Sequence, residues 1–258
     1  MCRWIAYTGV SIPLEQYVTR PSHSLVVQSQ RALESTMAMN GDGFGLGWYG
    51  EHAEPGLYRE VRPAWSDENL RNLCRHLRSH LFFAHVRAAT GTPVTRPNCH
   101  PFSFGPWLFM HNGYLGNWAS ARRAVESLIP DGIYANRAGT TDSEAMFLAL
   151  VGQGLAQASA EAGDPTPALL RLLSRLSQIA GTEPFLFTAA LSDGRDLYAV
   201  RYGLNARANS LYYRASRDAT LIASEPLDDD RSTWTEVPSG SLLAARPGRG
   251  VEIFPLGL

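Results

Sequence analysis

Apolar and polar positions recur with two different periods along this chain. Residues 3–7 are short, aromatic and β-branched, and predict a strand almost at the N-terminus. Over residues 66–80, Leu70, Leu73, Cys74 and Leu77 fall on one stripe at helical spacing, with Ser66 placed to cap the first turn. Residues 81–86 and 107–111, each mostly apolar with one histidine, read as buried strands. Three helices follow. Residues 117–129 carry Trp118, Ala121, Val125 and Leu128 on one face. The next opens on Thr141-Asp142-Ser143-Glu144, a capping-box spacing, and is apolar on every side to about Leu155. Such a helix must be enclosed by other elements. The third opens at Asp164-Pro165, carries Leu169, Leu172, Leu173, Leu176 and Ile179, and stops at Gly181. Short strands are expected at 185–191, 196–201, 210–214, 219–224 and 241–245. Strands early and late, with helices between them, predict a layered α+β fold over an alternating parallel sheet. No stretch reads as a linker or repeat, so one domain spanning residues 1–258 is expected.

Composition narrows the chemistry. With 258 residues, 45% of them hydrophobic, the chain can bury a substantial core. Its net charge of -1 argues against a nucleic-acid or membrane-surface binder, both of which need a basic excess. All 23 basic residues are arginine. The absence of lysine excludes a Schiff-base or pyridoxal-phosphate lysine, a Walker A loop and the usual lysine-based kinase site. Cys2, Cys74 and Cys99 are too few and too scattered for a disulfide framework. No apolar run approaches the roughly 18 residues of a membrane span, and the N-terminus lacks the basic, apolar and cleavage regions of a secretory signal. A reduced, cytoplasmic protein is expected.

Three motifs fail on context. Residues 45–50 match the dinucleotide fingerprint letter for letter, but the following Glu51-His52-Ala53-Glu54-Pro55-Gly56 cannot be its phosphate-binding helix. A glycine-rich strand and turn, with backbone close to a ligand or a neighbour, is the better reading. His76 and His80 stand four apart on the predicted helix, yet Leu77 occupies the place of the glutamate that a metalloprotease needs. Asp228-Asp229-Asp230 lacks calcium-loop spacing and reads as a solvated turn. No metal site and no cofactor are expected.

Cys2 carries the most chemical information. A Met followed by so small a residue is normally removed in the cytosol, which would leave Cys2 as the mature N-terminus. Its α-amine would then have a pKa of about 7.7–8.0, so one residue would supply both thiol nucleophile and base. Chance placement alone also explains a Cys at position 2, and the nucleophile reading needs partners. Arg87 and Thr90 lie just past the predicted strand at 81–86, where an arginine fork can bind a carboxylate. Asn112-Gly113 ends the next strand, and an Asn amide beside a Gly N–H forms an oxyanion hole. Asp142 opens a helix, where it can cap the backbone or hold a substrate ammonium.

MCRWIAYTG, Asn40-Gly41-Asp42-Gly43-Phe44-Gly45, AHVRAAT, Asn98-Cys99-His100-Pro101-Phe102, His111-Asn112-Gly113 and Thr141-Asp142-Ser143-Glu144 follow one another in this order. Together they resemble the ordered motifs of class II glutamine amidotransferase domains, and Ala223-Ser224-Glu225-Pro226-Leu227 and Val237-Pro238-Ser239-Gly240 extend the likeness over nearly the whole chain. The resemblance implies an N-terminal-nucleophile hydrolase fold, a four-layer αββα sandwich with two stacked antiparallel sheets. It implies Cys2 as nucleophile and amine base, Asn112 and Gly113 as oxyanion donors, Arg87 on the α-carboxylate of a glutamyl group and Asp142 on its α-ammonium. Thr90 and Asp42 lie in matching motifs with less defined roles. Larger members often have Trp after the motif Arg, where this chain has Ala88. No fused synthase domain is expected, and the chain is most similar to standalone members of fungal glutathione degradation and ergothioneine synthesis. The implied activity is hydrolysis of glutamine or a γ-glutamyl compound through a thioester on Cys2, with a small-molecule γ-glutamyl substrate and a separate synthase or peptidase as a possible protein partner. An ammonia-supplying subunit for a separate synthase, or a catalytically silent γ-glutamyl-binding or assembly module, are the alternatives.

Overall fold

Alternation along the first strand sets out the layers. In the computed structural model, which describes residues 2–35, 39–155, 164–246 and 248–258, Trp4 and Ala6 of strand Arg3–Pro13 pack with Leu81, Phe83, Leu108 and Met110. Ile5 and Tyr7, on the opposite face, pack with Phe82, Ala84, Val18, Leu25 and Leu70. Successive side chains of a strand point to opposite sides of its sheet, so two separate cores flank this one.

Two antiparallel sheets result. The first runs Thr235–Glu236, Tyr212–Ala215, Ala219–Ala223, Arg3–Pro13, Arg78–Val86, Phe44–Trp48, Gly56–Glu60. The second runs Gly250–Pro255, Ser241–Arg246, Leu197–Leu204, Phe185–Ser192, Trp107–Leu115, Phe102–Phe104. Helices Glu15–Val18, Leu25–Gln30 and Glu68–His76 contribute to the core outside the first sheet. Helices Trp118–Glu126, Asp142–Leu150 and Thr166–Ala180 contribute to the core outside the second. The core between the sheets is built from strand residues of both, which makes the expected αββα sandwich. No described helix is long and apolar enough to cross a membrane.

The enclosed helix is as expected over Asp142–Leu150, with every residue from Ser143 to Leu150 buried, but it stops short of Leu155, where residues 151–155 form a π turn broken at Gly154 (φ 108°). Its N-cap is only half of the expected box. The Thr141 hydroxyl accepts from the Glu144 N–H at 3.2 Å, but the Glu144 carboxylate turns to the N–H groups of Ala138 (2.9 Å) and Gly139 (2.8 Å). The glycine-rich run also behaves as read. A Cβ on Gly45 would fall on the His100 carbonyl oxygen, and one on Gly47 would come within 2.8 Å of Pro101. Glycine there lets strand Phe44–Trp48 lie directly against the His100–Pro101 segment and Leu108 of the second sheet.

The helix expected over 66–80 is shorter. Ser66 closes a 3₁₀ turn, its hydroxyl donating to Pro63 O at 3.0 Å, and Asp67 caps the helix by accepting from the Leu70 N–H at 2.7 Å. The helix stops at His76, and Arg78 already pairs with Pro13 in the sheet. Strand pairing outcompetes the apolar spacing there, so His76 and His80 lie on different elements. Asp67→Ala should therefore cost about 1 kcal/mol in urea unfolding, with Ser66→Ala costing less than half of that. Equal losses would return the cap to Ser66.

Candidate active site

Antiparallel pairing brings the N-terminus to the site. Arg3 lies opposite Val86, so Cys2 meets the segment that follows that strand. The Ala88 N–H points at Cys2 Sγ from 3.5 Å, and the thiol donates to Ala88 O at 3.6 Å. Cys2, Arg87, Thr90, Asn112, Gly113 and Asp142 all line one cavity of about 660 Å³. Six of the seven residues singled out from sequence are thus brought together. Asp42 is not among the lining residues. It stands behind the site, accepting from the Ala89 N–H at 2.8 Å, while its own N–H donates to Arg87 O at 3.0 Å. Asp42 shapes the loop that carries Arg87.

Cys2 is half-buried. Burial pushes its thiol up, against the opposing pull of the Ala88 N–H and the charges of Arg87 and Arg3. The resting group is therefore a thiol and needs a base to attack. Arg87 is buried; its guanidinium donates to Thr92 Oγ1 at 2.6 Å and to Asp42 O at 3.4 Å. Asp142 is half-buried at the head of its helix, accepting from the N–H groups of Ser143 (2.7 Å) and Leu115 (3.2 Å).

Asn112 is the anomaly. It is 1% exposed, and neither its Nδ2 nor its Oδ1 has a hydrogen-bond partner. Leaving such a group unpaired costs about 1–3 kcal/mol, and an orphan amide facing a cavity is free to serve a ligand. Its backbone oxygen is held by Asn209 Nδ2 at 3.0 Å. Gly113 follows because nothing larger fits: a Cβ there would collide with Leu186 O and lie 2.6 Å from His111 Nε2.

Three buried histidines cluster at the cavity: His100 and His111 line it, and His85 lies behind His100. His85 and His100 stack with ring centroids 4.2 Å apart, and their ring nitrogens lack partners. His111 Nε2 lies 3.1 Å from Leu186 O, which can only accept. Nε2 therefore carries the proton, and Nδ1 accepts from the Ser143 hydroxyl at 2.9 Å. Burial is the main cause that pushes all three down, His85 to about 3. Among the described residues no cluster of three or more His, Cys, Asp or Glu is placed to hold a metal ion. Arg207 and Trp118 also line the cavity, and Asn209 braces it. No sequence motif marks them, because each arrives from a loop or helix start that only the fold brings near.

The histidines set a pH dependence. Folding lowers their pKa values, so the unfolded chain binds protons first as pH falls below about 6.5. The stability they confer is present above that pH and lost as pH falls toward 3, at about 1.4 kcal/mol per pH unit for each proton taken up. The Tm from calorimetry should fall steadily from pH 6.5 to 4, and His85→Phe should make that fall shallower. An unchanged slope in the variant would remove His85 from the account.

A family model described as class II glutamine amidotransferases matches residues 16–213. The probable glutamine amidotransferase DUG3 of Saccharomyces cerevisiae is 33% identical over 292 aligned positions, covering 95% of this chain and 82% of its own length. The γ-glutamyl-hercynylcysteine sulfoxide hydrolase of Mycolicibacterium smegmatis is 29% identical, covering 99% and 100%. Among solved structures, a glutamine aminotransferase class-II domain protein from Silicibacter pomeroyi superposes with a TM-score of 0.74 at 36% identity, covering 98% of this chain and 99% of its own. The glutamine phosphoribosylpyrophosphate amidotransferase of Bacillus subtilis shares the fold, with a TM-score of 0.62 at 16% identity over 99% of this chain and 49% of its own. With the family model spanning most of the chain and relatives matching nearly end to end, this protein belongs to the class II glutamine amidotransferases.

Proposed function

We propose that the protein hydrolyses the γ-amide of glutamine or of a γ-glutamyl compound through a γ-glutamyl thioester on Cys2. The observation that carries this reading is the buried, unpartnered Asn112 carboxamide lining the same cavity as the Cys2 thiol. The name of the mycobacterial relatives describes hydrolysis of a γ-glutamyl bond, in keeping with a hydrolase.

Removal of Met1, which lies outside the described residues, frees the Cys2 α-amine. With a pKa of about 7.7–8.0 the amine takes the thiol proton. Sγ attacks the γ-carbonyl carbon, and the negative charge that develops on oxygen meets Asn112 Nδ2 and the Gly113 N–H. The C–N bond breaks as the α-ammonium returns its proton to the leaving amine. Water, deprotonated by the same amine, then attacks the thioester and releases glutamate and the free thiol. Arg87 receives the substrate α-carboxylate and Asp142 its α-ammonium, with Thr90 beside them and Asp42 holding the Arg87 loop. The histidines are poor alternatives as base. His85 is pushed down to about 3, and both nitrogens of His111 are engaged.

An electrophilic glutamine analogue should leave its adduct on Cys2 in mass spectrometry, and only on molecules that have lost Met1. An adduct on Cys74 or Cys99, or on chains retaining Met1, would overturn the mechanism. Asn112→Ala should lower kcat by roughly 10²–10³ with a smaller change in KM, because its amide acts once charge develops. A loss confined to KM would make Asn112 a substrate-positioning group instead.

A further inference from the structure

Arg87 and Asp142 account for the charges of a glutamyl head, but the cavity of about 660 Å³ exceeds what that head fills. Its lining holds one other cation, Arg207. This residue lies between strands Leu197–Leu204 and Tyr212–Ala215 and is exposed. Its loop is anchored on both sides. Asn205, in the left-handed region at φ 56°, donates from its amide to Gly181 O (2.9 Å) and Glu183 O (3.2 Å). Asn209 donates to Asn112 O at 3.0 Å and receives Arg201 Nε on its carbonyl at 2.8 Å. Nearby arginines are spoken for: Arg201 pairs with Glu236 at 2.6 Å. Arg207 has no hydrogen bond or ion pair among the described residues, and it also lines an adjoining depression of about 430 Å³. An unpaired guanidinium on a pinned loop, at the junction of two hollows, is pre-placed for an anion.

We propose that Arg207 receives a carboxylate on the leaving side of the scissile amide, so that the site favours γ-glutamyl amino acids and peptides over glutamine. The inference rests on the hydrolase reading above. A planar guanidinium fork matches a carboxylate in two-point geometry, whereas the ammonia released from glutamine offers it nothing. Because Asn209 ties this loop to the backbone of Asn112, the anion site and the oxyanion site share one support.

The test compares kcat/KM for γ-glutamyl-alanine and γ-glutamyl-alaninamide, which share the glutamyl head and scissile bond and differ in the leaving-side carboxylate. Wild type should prefer the free acid by about five- to thirtyfold, between the worth of an exposed ion pair and of a ligand-covered charged hydrogen bond. Arg207→Ala should bring the ratio close to one, and Arg207→Glu should invert it. A ratio taken within each variant is insensitive to partial loss of folded protein. A wild-type ratio near one, or a preference surviving in Arg207→Ala, would overturn the role of Arg207 while leaving the hydrolase reading intact. Failure of Met1-free protein to cleave either compound would overturn the hydrolase reading, and this proposal with it.

Discussion

The pairing of Arg3–Pro13 with Arg78–Val86 and Ala219–Ala223 at the centre of the first sheet governs the position of the candidate site residues. It puts Arg3 opposite Val86 and so delivers Cys2 to the backbone of Ala88 and the side of Arg87. The start of the strand is stitched on its other edge as well. The Trp4 N–H donates to Ser224 Oγ and the Ser224 N–H to Trp4 O, both at 3.0 Å. A one-residue slip would turn Trp4 and Ala6 out of the inter-sheet core and carry Cys2 away from the cavity. Register is thus a condition of both packing and chemistry.

Beneath that strand end lies a buried charge. Arg3 is fully buried, its Nη1 4.0 Å from the Glu225 carboxylate, while its Nε and Nη2 lack partners. Burial pulls the guanidinium down and Glu225 opposes it. Glu225 is in turn held by the N–H groups of Leu33 and Glu34 and by His23 at 2.8 Å. Removing one partner from such a pair leaves an uncompensated buried charge. The structure spends stability near Cys2 in other ways too, through the orphan Asn112 amide and the unpaired His85 and His100 rings. Unsatisfied polar groups gathered where the two sheets meet at one end are characteristic of a site organised for a ligand.

Periodicity and motif order were legible in the sequence because they are local or depend only on chain order. The apolar run that became the enclosed Asp142–Leu150 helix, the strands on either side of it and the glycines needed for close approach all follow from residue type and spacing. So does the candidate set at Cys2, Arg87, Asn112, Gly113 and Asp142, whose chemistry is carried by the residues themselves and whose order resembles one family.

Tertiary structure decided what depends on contact between distant segments. Strand pairing ended the helix at His76, and the turn at Ala64–Ser66 passed the cap from Ser66 to Asp67. Asp42 moved from candidate lining residue to backbone brace, because its carboxylate found the Ala89 N–H first. Asn209 and Arg207 entered the neighbourhood of Asn112 only through the second sheet, almost a hundred residues downstream. Helix and strand signals are read within a few residues, whereas these placements are set by which backbone groups remain unpaired after the sheets have closed.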